Sequence, residues 1–173
     1  MNTILEFIFP LIPAVLVFVT AYIFFNRMRN DQRAFQQMLV RLEERKHSLP
    51  LQLKAYERLI IMLERITPSA LVMRLNKPGM SASQLQLDLL KAVRDEYDLN
   101  VSMQMYVSRT AWELTGLGRD EVIESIKTAA IKAGATGTAL DLSRHLFDIE
   151  AQTKNQSVKQ ALEVLRHEAR KMM

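Results

Sequence analysis

The stretch Phe7-Ile-Phe-Pro-Leu-Ile-Pro-Ala-Val-Leu-Val-Phe-Val-Thr-Ala-Tyr-Ile-Phe-Phe25 contains no charged side chain. As a helix such a run measures roughly 28 Å, close to the ~30 Å hydrocarbon thickness of a bilayer. Arg27, Arg29 and Arg33 follow at once, whereas the N-terminal flank carries Glu6 and the α-amine. The pattern predicts a single membrane span over about 4–25, inside an anchor of residues 1–30. Arg and Lys collect on the cytoplasmic side of a span. Arg27, Arg29 and Arg33 therefore predict a cytoplasmic C-terminal part and an N-terminus outside.

Two other readings of this run fit less well. A cleaved signal peptide needs a basic start and small residues at the cleavage site. Here the start is Met1-Asn-Thr-Ile-Leu-Glu6 and the exit is Phe24-Phe-Asn-Arg27. An interfacial helix needs a polar face, and only Thr20 and Tyr22 could supply one. Pro10 and Pro13 bend a helix if they lie inside it and are harmless at its first turn. A helix beginning at Pro13 would be too short to span, so a kinked full span is expected.

The rest of the 173-residue chain is long enough for one domain with a real core. Hydrophobic residues are 49% and charged residues 24% of the chain, which is a globular composition and not that of a disordered one. Cysteine is absent, which excludes disulfides, thiolate nucleophiles and Cys-ligated zinc. The formal charge of +4 is unevenly spread: residues 27–77 hold eleven Lys and Arg against five Asp and Glu, and residues 78–173 twelve against thirteen. Anionic headgroups attract basic residues close to the surface by ~1 kcal/mol each. Membrane lipid is the expected reason for this placement, with Arg41, Arg45, Lys46 and Lys54 as candidate headgroup contacts.

Periodicity makes the remainder all-α. Phe35, Met38, Leu39 and Leu42 form one apolar stripe, predicting a juxtamembrane amphipathic helix over 31–48. Residues 49–173 are expected to form a helical cytoplasmic domain. Pro50 should open its first helix, with Leu53, Tyr56, Leu59, Ile60, Leu63 and Ile66 inward. Thr67-Pro68 is a cap followed by a first-turn proline, leading a short helix through Leu75. Ser81 and Gln84 suggest a capping box for a helix carrying Leu85, Leu89, Val93 and Tyr97. Residues 101–107 read as a turn or helix start. Ser108 should cap a helix that Gly116 and Gly118 interrupt, before Asp120 begins another ending at Gly134. Ala139, Leu142, Leu146 and Ile149 mark a further helix. Ser157 with Gln160 is a second capping-box pattern, opening a last helix with Val158, Ala161, Leu162, Leu165 and Ala169 on one face.

Chemistry-bearing patterns are sparse. Gly134-Ala-Thr-Gly-Thr138 lacks the preceding strand and the Lys-Ser/Thr pair of a phosphate loop, so it reads as a helix stop and the next cap. His47, His145 and His167 show no zinc spacing. Asp95, Glu96 and Asp98 read as the solvated end of a helix. No catalytic, cofactor-binding or metal residues are assigned. Trp112, with Tyr106, Met103 and Met105, could pack inward or form a docking patch. Phe35, Met38, Leu42, Tyr106 and Trp112 are the candidate partner surface.

Several stretches taken together carry a resemblance: Leu49-Pro-Leu-Gln-Leu-Lys-Ala-Tyr-Glu-Arg-Leu59, Leu63-Glu-Arg-Ile66, Arg94-Asp-Glu-Tyr97 and Gln104-Met-Tyr-Val-Ser108 before Trp112. The chain resembles an uncharacterised family of small bacterial proteins with one N-terminal span and a helical cytoplasmic domain. The likeness covers roughly residues 1–130. It implies an inner-membrane architecture and supplies no catalytic residues. Read physically, Tyr56 belongs to the apolar stripe, while Glu57 and Arg65 could pair with charges on neighbouring helices.

The function expected from all this is a non-enzymatic accessory or scaffold subunit of a membrane complex, with lipid and other subunits as partners. One alternative is a membrane-tethered nucleic-acid or ribosome-binding module using the basic 27–77 segment. Another is an enzyme with an unrecognised site. A stator of the rotary-ATPase type would need a long unbroken helix after the span, which Pro50, Pro68 and Gly79 are expected to prevent.

Overall fold

The computed structural model describes residues 11–173, without the side chains at 11–15, 21, 25–26, 28–45 and 47. The chain divides into two units, Met1–Ser48 and Leu49–Met173. Its elements are α1 (Leu11–Arg65), α2 (Pro68–Leu75), α3 (Ala82–Asp98), a 3₁₀ turn (Val101–Met105), α4 (Arg109–Ala133), α5 (Ala139–Thr153) and α6 (Gln156–Met172). The fold class is all-α, with no strand among the described residues.

Among the described residues no helix is long and apolar enough to cross a membrane. The expected span over 4–25 falls partly outside the described residues. Pro10, the side chains of Pro13, Arg29, Arg33, Phe35, Met38, Arg41, Leu42 and Arg45, and that of His47 also lie outside them.

The structure corrects the reading of Pro50. No new helix opens there: α1 continues through it to Arg65. Proline withholds an N–H from the carbonyl four residues earlier. The side chains of Lys46, Ser48 and Pro50 are exposed, so water can reach the carbonyl left over. The expectation that Pro50 breaks the helix after the apolar run is thereby corrected as well.

In the second unit, apolar spacing becomes core. Tyr56, Leu59, Leu63 and Ile66 of α1 are buried with Leu71 of α2 and Leu85, Leu89 and Val93 of α3. Val122 and Ile126 of α4, Leu142 and Leu146 of α5, and Val158, Leu162 and Leu165 of α6 join the same cluster. Each such burial contributes roughly 1.5–3 kcal/mol before conformational entropy is set against it.

Local signals fix most helix starts. Ser81 and Gln84 form the reciprocal capping box that their spacing predicts. The Ser108 hydroxyl accepts from the Ala111 N–H at 3.0 Å. Thr138 and Asp141 form another box at the start of α5, and the bonds from Thr138 hold the Asp141 carboxyl below the usual carboxylate range. The loops before α3 and α5 are joined, Ala82 N–H donating to the Gly137 carbonyl and Ala139 N–H to that of Met80. Thr67 occupies the cap position of α2, yet its hydroxyl donates back to the Glu64 carbonyl at 2.9 Å. Gly134 ends α4 with φ 72°, a conformation that costs an L side chain and suits glycine.

Two further expectations are overturned. Gly116 and Gly118 do not interrupt anything: α4 runs unbroken from Arg109 to Ala133. Gly118 is a packing residue. A Cβ there would lie 3.2 Å from Val158 Cα and 3.4 Å from Leu63 Cδ2, so α6 and α1 close directly on the α4 backbone. Ser157 and Gln160 form no capping box. α6 begins two residues earlier, after Asn155, which has φ 49° and makes no side-chain cap. Its first N–H groups are taken from another helix: Ser157 and Val158 donate to Glu121 Oε2 at 2.8 and 3.3 Å.

The two glycines of α4 should therefore respond oppositely to alanine. Gly116 has nothing within 4 Å of an added Cβ, so Gly116→Ala should stabilise by about 0.5–1 kcal/mol through helix propensity. Gly118→Ala should cost about 1–3 kcal/mol by overpacking. Urea unfolding followed by circular dichroism measures both. Equal effects of the two substitutions would contradict the close approach at Gly118.

Candidate functional site

The Ala55-Tyr-Glu-Arg-Leu59 run turns alternate sides of α1 to different tasks. Ala55, Tyr56 and Leu59 are buried, and Glu57 and Arg58 are exposed. Tyr56 is 1% exposed, and a phenol buried so fully needs a partner for its hydroxyl. The hydroxyl donates to Glu168 Oε2 of α6 at 2.7 Å and accepts from the Ser108 N–H at 3.2 Å. Ser108 Oγ donates to Glu168 Oε1 at 2.8 Å. One carboxylate thus ties α1, the start of α4 and the end of α6 together. Burial first, and then the Glu168 hydrogen bond, push the Tyr56 phenol up to about 12.

This knot has the residue types of a reactive site without its geometry. The Ser108 hydroxyl proton goes to Glu168, and its oxygen accepts from Ala111. Neither of two surface clefts on the second unit is lined by Tyr56, Ser108 or Glu168. One, of about 500 Å³, lies between residues 76–80 and 138–140. The other, of about 550 Å³, runs along Glu163, Arg166, His167 and Arg170 of α6. Among the described residues no group of three His, Asp or Glu could hold a metal ion.

The exposed neighbours of Tyr56 clamp α3. Arg58 Nε donates to Asn100 Oδ1 and its Nη2 to the Leu99 carbonyl, both at 3.1 Å. Asn100 is itself buried and donates to the Glu96 carbonyl at 2.8 Å. Arg65 pairs with Glu96 at 2.6 Å, and Arg74 approaches the same oxygen at 3.6 Å. Glu96 is therefore a junction between helices, which corrects its reading as part of a solvated end. Asp95 and Asp98 are exposed. Arg65 pairs with another helix as its position suggested.

The sequence-derived residues separate into those brought together and those not. Trp112 is half-buried and stacks on Tyr97 with ring centroids 5.3 Å apart. The Arg119 guanidinium lies 4.1 Å over the Tyr97 ring. Tyr106 and Met103 are half-buried and Met105 is exposed. Arg27, Lys46 and Lys54 are exposed. His145 is half-buried and His167 exposed. Sequence reasoning missed Glu168, Asn100 and Glu121, the three acceptors that organise the unit. Only the presence of a tyrosine in an apolar stripe hinted that some acceptor must exist.

The motif that carries these contacts lies inside a family. Residues 2–172 match a family of unknown function, DUF7935. The chain belongs to DUF7935. The match extends the likeness beyond residue 130 to nearly the whole chain, α6 and its Glu168 included. No curated protein and no solved structure matches this DUF7935 chain.

The knot makes stability fall in alkali. Tyr56 holds its proton to about 12 when folded and releases it near 10 when unfolded. Its contribution is whole below pH 10 and is lost as pH rises from about 10 to about 12. Tyr56→Phe should abolish that component of the pH dependence, and it should cost about 1–3 kcal/mol at pH 7 by stranding the Ser108 N–H and Glu168. A wild-type and variant unfolding series from pH 7 to 12 measures this. Parallel curves would refute the assignment. Glu121→Ala should separately cost about 1–2 kcal/mol, the range of a lost helix cap.

Proposed function

We propose that this DUF7935 chain is a non-enzymatic accessory or scaffold subunit of a membrane complex in the bacterial inner membrane. One span over 4–25 anchors it with the N-terminus outside, and the helical unit Leu49–Met173 contacts partner subunits in the cytoplasm. The observation that carries the reading is the exposure of Leu16, Val17, Phe18 and Val19, at 64, 68, 76 and 49%. Successive helical residues are turned 100° apart, so these four point to every side of α1. A helix apolar all round is stable where lipid or protein covers it. Thr20 donates its hydroxyl to the Leu16 carbonyl, which satisfies that hydroxyl within the helix, as a span requires. Arg27 closes the run as its cytoplasmic marker, with Arg29 and Arg33 beyond it, and Arg41, Arg45, Lys46 and Lys54 are the proposed headgroup contacts.

The scaffold part of the proposal is supported by the polar interior of the second unit. Tyr56, Ser108, Glu168 and Glu121 spend their hydrogen bonds on holding helices together. Such a unit presents a firm surface, which is what a docking subunit needs.

The full-length protein should resist alkaline carbonate extraction from membranes, and a reporter fused after Met173 should be active only in a cytoplasmic format. Replacing Arg27, Arg29 and Arg33 by Asn, with Lys added near Asn2, should invert part of the population. Release by carbonate, or activity of a periplasm-dependent reporter at the C-terminus, would overturn the anchor. Submicromolar RNA binding at physiological salt, lost on replacing Arg41, Arg45, Lys46 and Lys54 by Gln, would turn the reading toward a nucleic-acid module.

A further inference from the structure

α2 and α5 lie side by side in opposite directions. Ser69 Oγ donates to Glu150 Oε1 and Asn76 Nδ2 to Ser143 Oγ, each at 3.5 Å, which fixes the register of the pair at both ends. Met73 falls between Ser69 and Asn76, at helical spacings of four and three, and is therefore level with Phe147. Met73 is 86% and Phe147 41% exposed. The outer row of α5 reads Leu140, Arg144, Phe147, Ala151, all exposed, at spacings of four, three and four. Asp148 stands exposed beside it. Alternating spacings of four and three make a seam that packs on another helix. Among the described residues neither Arg144 nor Asp148 forms an ion pair. The other carboxylates close by are engaged, Asp141 by Thr138 and Glu150 by Ser69 and Asn155.

We propose that this face binds the same face of a second copy of the chain, α5 against α5 in opposite directions about a two-fold axis. The row is its own complement when reversed. With Arg144 of one protomer opposite the partner's Phe147, Leu140 comes opposite the partner's Ala151, a large side chain on a small one. Arg144 then lies over an aromatic ring and beside the partner's Asp148, and the symmetry makes each contact twice. Met73, level with the middle of the row, meets its counterpart near the axis and adds apolar cover at one flank. Mixed charge is what selects this occupant. An anionic lipid surface or a partner of one charge would satisfy one of Arg144 and Asp148 and repel the other. A parallel copy would set Arg144 against Arg144. The reversed copy satisfies both signs. Exposed Lys77 and Lys154 stand past the two ends of the row, where water and salt screen them. The inference adds a second copy of the chain to the partners proposed above and stands apart from the anchor.

The natural sequence has no cysteine, so disulfide crosslinking can read this face in the full chain in detergent. Leu140→Cys and Ala151→Cys in one chain should crosslink into dimers under mild oxidation at least about fivefold more than either substitution alone. In a reversed pair each of these positions faces the other and lies roughly 16 Å along the helix from its own counterpart. Leu117→Cys with Ile131→Cys, exposed but on α4, should give no such gain. Arg144→Glu or Asp148→Arg, added to the crosslinking pair, should each lower the yield about tenfold by setting like charges together, and both together should restore it. Both side chains are exposed, so the fold should survive either change. Equal yields from the paired and single cysteines, indifference to the single charge reversals, or no recovery in the double reversal would overturn the proposal. Loss of the crosslink when phosphatidylglycerol is added to the micelles would overturn it in favour of lipid. Carbonate extraction reads the anchor and is blind to this face. A lost anchor with retained crosslinking would thus sink only the membrane reading, and the converse only the dimer.

Discussion

The carboxylate of Glu168 is the constraint on which the second unit turns. Its two oxygens accept from Tyr56 on α1 and from Ser108 at the start of α4. Ser108 in turn caps α4. Three helices distant in sequence are thereby held at one point. A second point of closure lies at Gly118, where α1, α4 and α6 meet again around Leu63 and Val158. Position 56 meets 108 and 168, and position 63 meets 118 and 158. The alignment follows: α4 runs with α1, and α6 runs against both. A buried phenol with its partners intact specifies this arrangement, because another register would strand its hydroxyl away from water.

The same economy holds throughout the knot. Tyr56, Ser108 and Glu168 satisfy one another's hydrogen bonds. Among the described residues, apolar side chains stand exposed at positions 16–19 of the first unit. Covering such a surface is favourable.

Helix content and the inward faces were legible from the residues alone. The buried set on α3, α5 and α6 follows the spacing of Leu85, Leu89 and Val93, of Leu142 and Leu146, and of Val158, Leu162 and Leu165. Capping at Ser81 and Ser108 and termination at Gly134 were legible for the same reason: partner and donor lie within one turn, so the chain itself carries both. Sequence reasoning failed at Pro50 and at Gly118 for different reasons. Pro50 and Gly118 look like breaks. Pro50 is tolerated inside α1 where the neighbouring side chains are open to water, and Gly118 is kept in α4 for a close helix approach.

The start of α6 shows the division most plainly. Ser157 and Gln160 have the right identities and spacing for a capping box, but Glu121, thirty-six residues away, takes the Ser157 N–H that the Gln160 side chain would have accepted. The apolar and charged pattern by itself determined an all-helical chain, an uncharged N-terminal run closed by arginines, and which faces turn inward, because these depend on neighbours three or four residues apart. Only the tertiary structure decided which acceptor Tyr56 finds, what caps α6, and that Arg58 is held by Asn100. Those pairings join residues from 36 to 112 positions apart, and no periodicity along a chain encodes a distance across it.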